Sequence, residues 1–403
     1  VDDDVMWKDY SPGPHGTPSP DLARRLASDP VGTVVLPSGD TVPMAVRYDD
    51  VRAILSCPHS SRTGLSEPGR PRLLRGLSVD DVPGVLLNMD DPEHARQRRI
   101  LAGAFTLAQA ERWRGRCRAI AHELIDSFSE RPDLVADYAA PLSARLICTV
   151  IGMPGTDYDR FKQWSEAFLR ASPSGAEARM SAFAELARYM GDLVARRRAE
   201  PGDALVDVLM QATSRGDRLS DEELVNVLLM LAVAGHETPA MMIARGLYTL
   251  LRHPGQYRAL VADPALTEPA VEEILRFDGP GTNGLLRRLT ADVELPSGAV
   301  LPAGTVVLPN SHAANHDPAA FPDPGRFDIR RHAPGGTARP HLAFSHGPHF
   351  CLGNHLARVQ LQEAVRALAE RVPGLRPAED PGGLPWTEGN LAYRPARLPV
   401  LTA

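Results

Sequence analysis
The residue most able to do chemistry sits in one short stretch, FSHGPHFCLGNHLAR, at 344–358. Cys351 is one of four cysteines in the chain and stands between Gly347 and Gly353, among His346, His349 and His355. Four roles suit such a thiol: buried hydrophobe, redox thiol, zinc ligand, or thiolate ligand of a heme iron. A helix is predicted to open just after it, and the positive end of a helix favours a thiolate over a thiol. The two glycines let the backbone turn tightly and approach a flat ligand. His346, His349, Cys351 and His355 match no standard Cys/His zinc spacing. Cys57, Cys117 and Cys148 are scattered without a CxxC pair, the pattern of a reducing compartment rather than of a disulfide framework.

The elements that must position this loop read as mostly helical. Periodicity and breaker residues predict helices over about 91–103, 107–130, 140–151, 157–170 and 176–198. Ser220 with Glu223 makes a capping box that opens a long helix running to about 251, and a shorter helix follows over about 267–277. The helix after Cys351 runs to about 371. Strands are confined to small pieces: a hairpin of 33–36 and 41–47 around PSGD, short strands punctuated by PSG (296–298) and PAG (302–304), and a pair near 389–401. The stretch 58–84, rich in Pro, Gly, Ser and Arg, predicts a long ordered loop. No repeat or low-complexity linker marks a boundary, so one mostly helical domain is expected over 1–403.

Composition removes several function classes. A net charge of -6, from 44 Lys+Arg against 50 Asp+Glu, argues against bulk nucleic-acid binding. The N-terminal VDDDVMWKDY has no apolar core of the kind a secretory signal needs. The apolar run LVNVLLMLAVAG at 224–235 is short for a membrane span and ends at His236 and Glu237, which predicts a buried core helix.

With those elements in place, FSHGPHFCLG resembles the heme-binding loop of the cytochrome P-450 superfamily, Phe-x-x-Gly-x-x-x-Cys-x-Gly, through Phe344, Gly347, Cys351 and Gly353. Further stretches resemble the family in its order and spacing: EEILR at 272–276, FPDPGRF at 321–327, AGHET at 234–238 and DDPEHARQRR at 90–99. The resemblance spans almost the whole chain and is strongest to the soluble, single-domain bacterial members. It implies a mainly α fold with small β-sheets, the triangular-prism domain of that family. Heme b would lie between the long central helix (about 220–251) and the helix after Cys351.

The same resemblance assigns roles. Cys351 would be the iron's thiolate ligand, with Phe344 and the N–H groups around Gly353 shielding the sulfur. His94, Arg98, Arg287 and His349 would meet the heme propionates, whose burial without cations is costly; Arg288 is the competitor of Arg287. Glu237 and Thr238 would organise delivery of the two protons that oxygen activation consumes. Ala234 and Gly235 would leave room beside them. Pro239 lacks an N–H, so the Gly235 carbonyl loses its usual donor; either a kink that admits water or a plain bend in a core helix would follow. Glu273 and Arg276 would fix the scaffold together with Arg326, with Glu272 as the competing acid.

The substrate is less legible. Leu86, Leu87, Val233, Asn283, Leu285, Asn390 and Leu391 are the expected lining, apolar with two amides, which suits a medium-sized hydrophobic molecule bearing some polar groups. Family analogy makes this a natural-product intermediate and makes hydroxylation the default, with epoxidation or oxidative coupling as variants. The arginines of 94–118 predict a basic face for an acidic ferredoxin, itself fed by a ferredoxin reductase and NAD(P)H. A cytoplasmic monomer that binds neither nucleic acid nor membrane is expected. A peroxide-driven peroxygenase and a non-catalytic heme-thiolate sensor or scaffold are the alternatives, and the Glu237–Thr238 pair weighs against both.

Overall fold
The computed structural model describes residues 14–73, 79–82, 84–169, 176–279, 284–336, 338–387 and 393–402. In chain order the first elements are α1 (Leu22–Ser28), β1 (Thr33–Val35), β2 (Thr41–Ala45), α2 (Tyr48–Ser56) and β3 (Ser60–Ser61). Helices then dominate: α3 (Glu93–Ala102), α4 (Leu107–Glu111), α5 (Arg114–Asp126), α6 (Ala140–Ile151), α7 (Tyr158–Leu169), α8 (Ala176–Ala199) and α9 (Leu205–Gln211). A hairpin of β4 (Thr213–Ser214) and β5 (Asp217–Arg218) precedes α10 (Asp221–Arg252), α11 (Pro254–Ala262) and α12 (Thr267–Asp278). Next come β6 (Arg287–Leu289), β7 (Val293–Glu294), β8 (Val300–Leu301), β9 (Val306–Pro309) and α13 (Ser311–Ala314). The chain closes with α14 (Asn354–Arg371), β10 (Arg376–Pro377) and β11 (Val400–Leu401). The class is the expected one, mainly helical with small sheets.

Several elements differ from the sequence expectation. The single helix predicted over 107–130 is two, α4 and α5, and ends at Asp126. The partner of the last strand is β10, with Arg376 opposite Leu401, rather than a neighbour inside 389–401. Helices α1, α2, α9, α11 and α13 are short and went unread. In α2 the buried Tyr48, Val51, Ile54 and Leu55 make a stripe at helical spacing, cut short by the Cys57–Pro58 stop.

The described chain divides into two compact units, residues 1–95 with 272–351 and residues 96–271 with 352–403. The first holds a five-stranded sheet in the order β1-β2-β9-β6-β3, in which β2 and β9 run parallel and the other pairs antiparallel. Helix α2 packs its apolar stripe with Leu289, Val307, Phe321 and Leu342 in one core. Its start is fixed where the Tyr48 N–H donates to Asp317 and the Tyr48 hydroxyl donates to the Pro340 carbonyl. The cysteine loop rests on this helix. Gly347 has φ 72°, and a Cβ there would come within 2.5 Å of the Leu55 carbonyl oxygen, so only glycine fits.

The second unit is built around α10. Its capping box is present: the Glu223 N–H donates to Ser220 Oγ, and the Ser220 N–H donates to the Glu223 carboxylate. Gly235 lets α6 pack against α10, since a Cβ there would meet Ile147 Cδ1 at 2.7 Å. Helix α14 is tied to the same core where the Tyr138 hydroxyl donates to the Ala364 carbonyl and Gln360 donates to Ser143 Oγ. By length and composition 134–151 and α10 could each cross a membrane; 67% of each apolar window is buried inside the protein, as in core helices.

Candidate functional site
In the first unit the loop 344–351 turns back on itself: the Cys351 N–H donates to the Phe344 carbonyl at 2.9 Å and the Phe350 N–H to that of Gly347. Phe344 is buried against His341 and Phe350. Cys351 is in no disulfide and is partly exposed, while Cys117 and Cys148 are buried and pushed up to about 12 by that burial. Gly353 precedes the first residue of α14.

His349, on the 3-10 turn of that loop, lies with its ring centroid 4.3 Å from that of buried His94. Burial lowers His349 to about 3, assisted by the charges of Arg287, His94 and Arg62, so its imidazole is neutral. Arg287 is buried on β6 and donates to the Leu286 carbonyl at 3.2 Å. Among the described residues no carboxylate forms an ion pair with it, and burial together with Arg62 lowers it to about 9. Its neighbour Arg288 points the other way along the strand, donating to the Thr63 carbonyl. A buried guanidinium with no anion of its own, beside His94 and His349 and in the same unit as the cysteine loop, fits the propionates and thiolate-held iron of a heme. Arg98 lies one turn beyond His94 on α3, half-buried.

The sequence reading missed Arg62. It is fully buried and donates to the carbonyls of Leu87 and Leu286, to Asn88 Oδ1 and to Asp80. It thereby staples the segment carrying Leu86 and Leu87 to the one carrying Leu285, all three half-buried. The available signal was an arginine set among small residues in SSRTG at 60–64, with Asp80 and Asp90 further along the chain.

In the second unit α10 is buried along most of its length. Past its first turn, Ala234 and Thr238 are its exposed positions until Arg252. They stand one turn apart on one face, and Thr238 Oγ1 donates to the Ala234 carbonyl at 2.6 Å. Glu237 is buried beside them, with Arg394 Nε 3.8 Å from its Oε1. Val233 is half-buried, and buried His236 stacks edge-on to Phe161. Burial, then Arg394, lowers His236 to about 4, so it too is neutral. Helix α10 is continuous through Pro239. Gly235 serves packing against Ile147 rather than the exposed face.

The remaining assignments divide. Arg276 and Glu273 form a bidentate pair, both links 2.8 Å and both side chains fully buried. The guanidinium that joins them is that of Arg331, not Arg326: Arg331 reaches Glu273 at 3.2 Å, whereas the Arg326 side chain is 65% exposed and contributes its carbonyl. Glu272 pairs with His341 instead. The basic stretch is largely neutralised, Arg96 by Asp217 and Glu223, Arg114 and Arg118 by buried Glu363. Asn283, Asn390 and Leu391 lie outside the described residues.

Comparison with known proteins adds a pedigree to this geometry. A family model described as Cytochrome P450 matches residues 161–368. The chain is 41% identical to the mycinamicin IV hydroxylase/epoxidase of Micromonospora griseorubida over 93% of each chain. It is 36% identical to the cytochrome P450 monooxygenase PikC of Streptomyces venezuelae over 98% of this chain and 92% of that one. The crystal structure of the LnmA cytochrome P450 hydroxylase from the leinamycin biosynthetic pathway of Streptomyces atroolivaceus superposes with a TM-score of 0.86 at 39% identity, covering 95% and 96% of the two chains.

Proposed function
This chain belongs to the cytochrome P450 family, and we propose that it is an oxygen-dependent heme-thiolate monooxygenase of secondary metabolism, one domain over 1–403, acting on a medium-sized hydrophobic natural-product intermediate. The family binds heme b through a cysteine thiolate. When bound, such a heme supplies the splitting of dioxygen, in which one oxygen atom goes to substrate and the other leaves as water with two electrons and two protons consumed. Cys351 would provide the thiolate, and His94, Arg98, Arg287 and His349 would neutralise the propionates. Phe344 would help shield the sulfur from water.

The observation that carries the reading is the Ala234–Thr238 face of α10 with Glu237 buried next to it. Ala234 leaves space on that face. Thr238 Oγ1, anchored on the Ala234 carbonyl, holds a hydroxyl there, and the Glu237 carboxylate can take up and release a proton beside it. Of the residues expected from the sequence to line the pocket, Leu86, Leu87 and Leu285 are half-buried in the first unit and Val233 in the second; Asn283, Asn390 and Leu391 come from the sequence alone. Relatives named for mycinamicin IV and for the leinamycin pathway support the natural-product class. Electrons would come from a ferredoxin, its reductase and NAD(P)H, to a monomer in the cytoplasm; four cysteines outside any disulfide suit that compartment.

The test is spectroscopic first. The purified holoenzyme should give the reduced carbon monoxide difference band of a heme thiolate, and Cys351→Ala should lose it. A natural-product library followed by the Soret shift then selects substrates. With ferredoxin, reductase and NADPH, a selected substrate should be oxidised and oxygen consumed; oxygen uptake that no substrate stimulates would overturn the reading.

A further inference from the structure
We infer that His341, held by Glu272, is a positioning residue for the cysteine loop: the pair fixes the Phe344 ring and, through it, the surroundings of the Cys351 sulfur. The inference rests on the heme-thiolate reading and gives a role to the acid next to Glu273 on α12, which the scaffold pair does not use.

His341 is buried, and both its ring nitrogens are engaged. Nδ1 accepts the Ala343 N–H at 3.2 Å, so it carries no proton. The proton then sits on Nε2, which donates to Glu272 Oε2 at 3.1 Å. These two bonds, one to the loop and one to α12, set the plane of the ring. An imidazolium would need a second proton on Nδ1, aimed at the Ala343 N–H, so the neutral tautomer is the one this geometry holds. His332 meets the same ring edge-on, centroids 6.2 Å apart, and its Nε2 lies 3.5 Å from Glu273 Oε2. Adjacent carboxylates of α12 thus hold neighbouring histidines, and His341 carries the contact on to the cysteine loop.

The His341 ring packs on that of Phe344, centroids 5.8 Å apart and planes at 45°. Phe344 in turn takes the Cys351 N–H on its carbonyl at 2.9 Å. Between His341 and Cys351 the chain bends tightly. The Ser345 N–H donates to the Leu342 carbonyl at 3.0 Å, and Ser345 sits at φ 65°, in the left-handed region. A residue with a Cβ stays there only where its surroundings hold it. Two such holds stand immediately before the turn: the Leu342 N–H donates to Asn315 Oδ1 at 2.7 Å, and the Ala343 N–H to His341. Loss of the Glu272 bond frees His341 to turn, opens the Ala343 contact and takes from Phe344 the ring it leans on. Water then gains access to a sulfur whose hydrogen bonding sets the potential of the iron it ligates. A hydrogen bond to the sulfur withdraws its charge and favours the reduced metal.

The test uses holoenzymes and reads the midpoint potential of the heme, beside the carbon monoxide difference spectrum and the unfolding free energy. Glu272→Ala and His341→Ala should each move the ratio of reduced to oxidised heme at a fixed potential about tenfold toward reduced, a rise of about 59 mV. Glu272→Gln, whose amide oxygen still accepts from Nε2, should stay near wild type. The Glu272→Ala/His341→Ala double variant should shift no further than either single one, and Glu272→Ala should add nothing in a Phe344→Ala background. A merely structural pair would lower the unfolding free energy and leave the potential alone. NMR of the ring nitrogens in the carbon monoxide-bound protein should show His341 protonated at Nε2 alone, its signals identified by their loss in His341→Ala. Unmoved potentials, shifts that add in either double variant, a full shift in Glu272→Gln, or a proton on Nδ1 would each overturn the role of this pair. If His341→Ala does not hold heme, His341→Phe takes its place, filling the space without either hydrogen bond, and the same outcomes decide. A wild type lacking the thiolate band would instead overturn the heme-thiolate reading.

Discussion

Two Glu–Arg pairs in this protein have the same chemistry and opposite construction. Glu273 and Arg276 meet through two 2.8 Å bonds with no solvent exposure on either side chain. Arg276 also donates to the carbonyls of Asn315 and Pro324, and Glu273 accepts from the Asp328 N–H and from Arg331. Glu237 and Arg394 stand 3.8 Å apart with 10% and 19% exposure. A desolvated pair repays its burial only if every remaining donor and acceptor is met, which makes the first a rigid fastening of 273–276 to the 315–331 segment. The second is longer and partly exposed, so water screens it and the pairing itself holds less.

The largest effect should come from breaking the saturated pair. Arg276→Met would strand a buried carboxylate and should cost about 3–5 kcal/mol in chemical denaturation. The same pair predicts acid sensitivity. Burial acts to raise the Glu273 carboxyl, but hydrogen bonds from Arg276 and His332, the Arg276 charge and the Asp328 N–H outweigh it and bring it to about 2 from 4.5. Its folded value lies below the unfolded one, so its contribution is present above about pH 4.5 and fades as pH falls toward 2. A shift of that size corresponds to on the order of 3 kcal/mol. A Glu273→Gln variant should therefore lose the part of the wild-type pH dependence that lies in this window. A wild type and variant with parallel acid limbs would break the comparison.

The longer pair should behave otherwise. Arg394→Met is expected to change unfolding free energy by under about 1 kcal/mol, because a partly exposed ion pair contributes little. A stability loss near that of Arg276→Met would show that Arg394 holds the scaffold as Arg276 does.

Legibility in the sequence followed this same division. The capping box could be read because it is local: its partners are three residues apart, so spacing encodes the contact. The cysteine loop and the choice of Glu273 over Glu272 as the partner of Arg276 came from the family resemblance, since spacing alone left alternatives open. The long helix was read from a twelve-residue run, 224–235, that is apolar or small except for Asn226, and from a capped start. Arg62, Arg331 and Arg394 could not be read, since each acts on a partner far along the chain, and a lone arginine in a loop looks like a solvated surface charge. Gly235 was assigned to the wrong neighbour for a related reason. Small residues on adjacent helical positions face different directions, and only packing shows that Gly235 serves Ile147 while Ala234 faces outward. Short helices such as α2 and α11 were hidden because seven to nine residues give too few repeats of a helical period to stand out.

The finest test separates two arginines of one segment. Arg326 was the expected charge under the scaffold, yet its side chain is exposed and its ion pair to Asp328 is 3.5 Å long. What the segment uses at that position is the backbone, whose carbonyl accepts from both Arg276 and Arg331. Arg326→Ala should therefore change stability by no more than about 0.5 kcal/mol. Arg331→Ala removes a largely buried guanidinium that also donates to the carbonyls of Pro322 and Asp323, and it leaves those acceptors and one side of Glu273 unmet. It should cost about 1–3 kcal/mol. Equal effects of the two substitutions in a urea titration would mean that charge anywhere on this segment is enough, and that the saturation of Glu273 is incidental to how it holds.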